Sequence, residues 1–199
     1  FYLRPPETVE PTVVSYALKP DAWHDVKTLF TSMFLHGGLD HLLGNMLFLW
    51  IAGDNVEDRL GHGAYLLFYL AAGLAGSAAH IVMALGPLSS MADVPTVGAS
   101  GAISGVMGAY LAFFPSSKIK FVLWLILFVR GFTLPSWGAI GLWIASQLLI
   151  ARHQLGGMAQ GEAAMVAVFA HLGGFAFGFA SALLLRFLEL PAGRRSRSS

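Results

Sequence analysis

Three groups of side chains in this sequence could do chemistry together. Ser100 lies in Gly98-Ala99-Ser100-Gly101, directly ahead of Ala102-Ile103-Ser104-Gly105, where an apolar helix is expected to begin. A hydroxyl there can be reached from a polar cavity, and the unpaired amides of a helix N-terminus favour developing negative charge. His171 lies in Ala170-His171-Leu172-Gly173-Gly174, inside another uncharged stretch. Imidazole in hydrocarbon costs free energy unless partnered, and it is the usual general base. His41 and Asn45 stand four residues apart, on one helix face. Both are uncharged donors suited to holding a carbonyl oxygen as it gains charge in acyl transfer. Each also has an unreactive reading: a serine in a membrane helix often bonds only the preceding turn, and a His-Asn pair can clamp two helices. No carboxylate lies in the interior of the apolar blocks, with Asp40 only at an edge, so the pattern points to a Ser-His dyad rather than a Ser-His-Asp relay.

The elements that must hold these residues are set by composition. Of 199 residues, 56% are hydrophobic and 12% charged, and the mean hydropathy is +0.66. Soluble domains carry about a quarter of their residues as charge, so this chain could not cover itself with a water-facing surface. A bilayer core of about 30 Å needs about 20 helical residues. Residues 63–85, 94–114, 131–151 and 163–185 contain no Asp, Glu, Lys or Arg, and 36–56 qualifies if Asp40 and Asp54 are accepted near its ends. The expected fold is therefore an all-α polytopic bundle with five visible crossings. The run from Ile119 to Val129, between Lys120 and Arg130, is too short to span and is expected along the interface or as a helix extension. Cysteine is absent, so disulfides and thiol chemistry are excluded.

With five crossings, a cytoplasmic C-terminus puts Arg59, Lys118, Lys120, Arg130, Arg186, Arg194, Arg195 and Arg197 inside, against Arg4, Lys19, Lys27 and Arg152 outside. Residues 1–35 then form an external segment, 36–186 the transmembrane core, and 187–199 a basic cytoplasmic tail. An external start without a signal predicts a further helix ahead of residue 1. Three arginines without interleaved aromatics make no nucleic-acid groove. In the fifth crossing Ala170, Gly174, Gly178 and Ala182 form a small-residue stripe, nearly repeated by Gly101, Gly105, Ala109 and Ala112 in the third. Such stripes are ordinary packing features, yet they would bring Ser100 and His171 toward each other.

These residues resemble the rhomboid family of intramembrane serine proteases. The matching stretches are Phe30 to Asn45 (FTSMFLHGGLDHLLGN), Glu57-Asp58-Arg59-Leu60-Gly61, Gly98-Ala99-Ser100-Gly101 and Ala170 to Gly178 (AHLGGFAFG), in the family's order over about residues 28–186. The resemblance implies Ser100 as nucleophile and His171 as its base. It also implies an oxyanion site of His41, Asn45 and the Ser100 amide, with Glu57 and Arg59 structural. It implies a six-helix core, hence one helix more than is visible, and membrane-protein substrates, single-pass or polytopic, cut in transmembrane or juxtamembrane segments. The expected setting is the lipid bilayer of a bacterial inner (plasma) membrane, with no cofactor, no metal and no specified oligomeric state. Many members carry a Trp-Arg pair near the end of the first loop; here Lys27-Thr28 takes that spacing, with Trp23 four positions before Lys27. Three competing readings are weaker. A catalytically dead relative would normally have lost the serine or histidine. A transporter using His41, His80 and His171 would want interior carboxylates, and a metalloprotease would need His-Glu-x-x-His.

Overall fold

Polar breaks set the ends of the helices. A computed structural model describes residues 11–89, 92, 94–125, 128–156 and 167–192, the backbone alone at 11–13, 122–125, 128–130 and 189–192. The basic tail at Arg194, Arg195 and Arg197, most of the 152–162 loop and residues 1–10 lie outside the described residues. The N-terminal portion forms α1 (Pro11–Tyr16) and α2 (Val26–Thr31), with 3-10 turns at Pro20–Ala22 and Ser32–Phe34. Asp25 caps α2 by accepting from the Lys27 amide. Leu18 and Thr96 exchange two backbone hydrogen bonds of 2.9 and 2.7 Å, tying this segment to the loop ahead of Ser100.

Helix α3 (Leu39–Leu60) ends at Gly61, whose φ of 81° is a conformation that L side chains resist, and α4 (His62–Ala84) starts at the next residue. The chain continues through α5 (Ser100–Phe113), strands β1 (Lys118–Leu125) and β2 (Phe128–Pro135), α6 (Ser136–Leu155) and α7 (Val168–Ala192). The hairpin corrects the expectation for 119–129. Lys118 and Lys120 alternate with Ile119 and Phe121, the period of a strand, and the run is rich in β-branched and aromatic residues. The strands pair antiparallel from Lys118 opposite Pro135 to Leu125 opposite Phe128. The architecture is thus a helical bundle carrying one two-stranded hairpin.

The expected count of five crossings is met in part. Among the described residues, two helices are long and apolar enough by themselves to cross a membrane, His62–Ala84 and Val168–Leu188. Helix α3 has the length but includes Asp40, Asn45, Asp54, Asn55, Glu57 and Asp58. Helix α6 includes Ser136, Ser146, Gln147, Arg152 and His153. Helix α5 is apolar but only 14 residues long, because 94–99 form the loop leading into it, and 131–135 belong to β2.

Helix α5 is the centre of the bundle, with every residue from Gly101 to Tyr110 buried. Its small side chains let neighbouring backbones come close. A β-carbon on Gly105 would strike Ala72 of α4 and the Gly174 carbonyl of α7, and one on Gly174 would strike the Gly101 carbonyl. The two stripes therefore meet, but α5 also uses Gly108, against the backbone at Phe175 and Phe179. Helix α4 joins through Gly73 and Gly76, the latter beside the Ala170 carbonyl. At the far end Arg186 donates to the Ala112 carbonyl at 2.9 Å, a cation at the C-terminus of α5. There Ser136 donates to the Phe114 carbonyl and Arg59 lies 5.6 Å over the Phe113 ring. Glu57 bonds His62 at 2.7 Å, so the Glu57 and Arg59 element sits at the α3–α4 turn. The long helices alternate in direction, leaving this base end opposite the end that holds Ser100.

Candidate active site

Four helices deliver polar groups to the other end. Ser100 is the first residue of α5, His171 stands in the first turn of α7, His41 in the first turn of α3, and His80 near the end of α4. Ser100 Oγ and His171 Nε2 are 2.8 Å apart, across 71 residues of sequence. Ser104, one turn deeper, does what hydroxyls in apolar helices ordinarily do and donates to the Ser100 carbonyl at 2.5 Å. Ser100 instead has an imidazole partner, because Gly101 and Gly174 allow α5 and α7 to touch just below it.

Gly98 shapes the approach to Ser100. Its φ is 131°, and its amide donates to the Ser32 carbonyl at 2.8 Å. A β-carbon there would stand 2.8 Å from His41 Cε1 and 2.9 Å from Nε2, and 3.6 Å from Ser100 Oγ. His41 therefore packs on the bare backbone two residues before the serine. The Gly37 amide donates to His41 Nδ1 at 3.4 Å, and the His36 ring sits edge-on at 5.2 Å. Asn45, one turn beyond His41, is buried, and its Nδ2 has no hydrogen-bond partner among the described residues. An amide held dry and unpaired is costly in a purely structural role. Asp40 is exposed, and no carboxylate bonds His171 among the described residues.

Two features were not anticipated. His171 Nδ1 lies 2.8 Å from Oε1 of Gln147, a buried residue of α6, and the Trp143 ring is 6.1 Å from the imidazole. Gln147 met the same criterion that drew notice to Ser100 and His171, a polar side chain within an uncharged block. The second is a cavity of about 30 Å³ beside Ser100, polar along Ser32, Ser77, His80 and Thr96, with His80 Nε2 bonded to Thr96 Oγ1 at 3.2 Å. That volume holds a water or two. Among the described residues no group of His, Asp or Glu is arranged to hold a metal ion.

The Ser100–His171 contact thus lies at one end of a bundle of apolar helices. A family model described as the rhomboid domain matches residues 23–187, and the chain belongs to the rhomboid family. It is 43% identical over 94 residues to Rhomboid protease GluP of Bacillus subtilis, covering 47% of this chain and 17% of that protein. It is 33% identical over 156 residues to RHOMBOID-like protein 1 of Arabidopsis thaliana, covering 78% and 33%. It is 38% identical over 152 residues to RHOMBOID-like protein 4 of the same plant, covering 76% and 32%. The chain thus spans a third or less of the length of these relatives.

Proposed function

We propose that this chain is an intramembrane serine endopeptidase that cuts transmembrane or juxtamembrane segments of membrane proteins through an acyl-enzyme. The observation that carries this reading is the 2.8 Å contact between Ser100 Oγ and His171 Nε2 within a bundle of the rhomboid family. His171 takes the Ser100 proton on Nε2 as Oγ bonds to the scissile carbonyl carbon, and the carbonyl oxygen becomes an oxyanion. Asn45 Nδ2, His41 and the Ser100 amide are the donors for that charge. The C–N bond breaks as Nε2 returns its proton to the leaving amine, which leaves an ester on Ser100. Water, for which the cavity along Ser77, His80 and Thr96 offers a reservoir, then loses a proton to Nε2 as it attacks the ester carbon; the C–Oγ bond breaks, Nε2 returns the proton to Oγ, and the acid product leaves.

The same proposal sets the bundle in a bilayer. Helices α3 and α6 turn large apolar side chains outward, among them Leu43, Leu47 and Trp50 on one and Trp137, Leu142, Leu148 and Leu149 on the other. Exposed apolar area on that scale suits lipid, so α3 and α6 join α4 and α7 as crossings, and α5, buried among them, completes a core over residues 36–186. Arg59, Arg186 and the hairpin with Lys118, Lys120 and Arg130 share the base end, which faces the cytoplasm in this reading, while Lys19, Lys27 and Arg152 share the other.

The test is labelling by a serine-reactive phosphonate together with cleavage of purified transmembrane substrates in detergent. Wild type should react in both, and S100A and H171A in neither. No serine-dependent cleavage across a diverse substrate panel would sink the assignment.

A further inference from the structure

We infer that Gln147 is a positioning residue that fixes the tautomer of His171 through a one-way chain of hydrogen bonds running from the backbone of α6 to Ser100. The inference rests on the serine–histidine reading above. The two ends of a side-chain amide are told apart by their partners, so the direction must be read from the far end of the chain. Ser146 donates its hydroxyl proton to the Trp143 carbonyl at 2.6 Å. Having no other proton, Ser146 Oγ accepts from Gln147, whose Nε2 is 3.3 Å away. The amide nitrogen therefore faces Ser146 and the carbonyl Oε1 faces His171, at 2.8 Å from Nδ1.

A carbonyl only accepts, so Nδ1 carries the proton of the neutral ring and Nε2 keeps its lone pair. That lone pair lies 2.8 Å from Ser100 Oγ, which must be the donor. Reversing the amide would place an N–H on Nδ1, move the ring proton to Nε2, and leave His171 unable to take the serine's proton. Once Nε2 is protonated, the Nδ1–H bond to Oε1 becomes charge-assisted and strengthens. Helix α6 thereby supplies a neutral third member to the site. A carboxylate in that place would add a buried charge to the resting protein, which an amide avoids.

The experiment uses the full chain in detergent, with steady-state cleavage kinetics and ¹⁵N spectra of labelled histidine. Wild type should show His171 with a protonated Nδ1 and an unprotonated Nε2. Gln147→Leu should lower kcat by about tenfold to a hundredfold, part of what general-base catalysis and tautomer control supply elsewhere, with KM unchanged and the two nitrogen signals averaging. Ser146 is exposed on the helix surface, so Ser146→Ala should fold normally and shift the same signals with a smaller loss of kcat. If Gln147→Leu unfolds, Ser146→Ala decides. Normal kcat with unshifted signals in the folded variants, or a wild-type His171 protonated at Nε2, would overturn the inference. Failure of the protease reading is separate: wild type itself would not cleave, or S100A would cleave as well as wild type, while the spectra would still report the tautomer.

Discussion

Gly178 of α7 lies so close to Gly105 of α5 that a β-carbon on it would fall on the Gly105 backbone. The obstacle is main chain rather than the end of a flexible side chain, so neither helix can yield locally. Gly178→Ala should therefore already be damaging, at about 1 to 3 kcal/mol for overpacking, and Gly178→Val and Gly105→Val more so. Phosphonate labelling of Ser100 should fall alongside thermal stability. A β-carbon on Gly141 of α6 would meet nothing within 4 Å, and Gly141→Ala should change neither. Wild-type labelling in a folded Gly178→Val protein would show that this contact does not set the distance between Ser100 and His171.

Asn45 gives a different signature, because its Nδ2 has no partner to lose among the described residues. Asn45→Ala should lower turnover by about a hundredfold or more, as loss of an oxyanion donor does elsewhere. Its unfolding temperature should stay near wild type. Unchanged turnover removes Asn45 from the oxyanion role.

Gly98 and Gly61 both hold positive φ, at 131° and 81°, but only Gly98 abuts His41 and Ser100. Either alanine variant should lose about 1 to 3 kcal/mol of stability through backbone strain. Gly98→Ala should in addition slow labelling of Ser100 in the folded protein, whereas Gly61→Ala should not. Equal labelling rates in the two variants would separate the His41 contact from reactivity.

Ser104 separates the two serines of the helix. Its hydroxyl is buried and bonded back to Ser100 O, so Ser104→Ala should keep phosphonate labelling while Ser100→Ala abolishes it. Persistent labelling of Ser100→Ala, with the label mapped to Ser104, would reassign the reactive residue.

Much of this site is legible in the sequence because its residues are anomalies. Ser100, His171, His41 and Asn45 are polar groups in apolar surroundings, and a bilayer makes such groups expensive. The small-residue stripes are legible as spacing, but spacing on one helix does not say which partner residue it meets, and Gly108 and the α4 glycines stay hidden for that reason. The hairpin escapes a reading that weighs the length of 119–129 against a membrane, and shows only in the alternation of Lys118, Ile119, Lys120 and Phe121. Counting charges alone likewise makes 94–114 and 131–151 whole crossings, although Gly98 and Pro135 mark where helix gives way to other structure. The significance of Gln147 depends on where α6 stands relative to α7, a tertiary fact that no local pattern carries.

The shortness of α5 sets a depth. Fourteen residues rise about 21 Å, against about 30 Å of hydrocarbon. If α5 crosses as proposed, with Phe113 at the base-side membrane face, Ser100 would begin roughly 9 Å beneath the opposite face. Backbone that is not helical survives at that level only where protein or water satisfies it. The strand-like exchange between Leu18 and Thr96 and the bond from Gly98 to Ser32 do so for the segment overhead. In the proposed placement that segment is a cap of protein over a well, and a peptide bond cut at Ser100 would have to descend below the lipid headgroups.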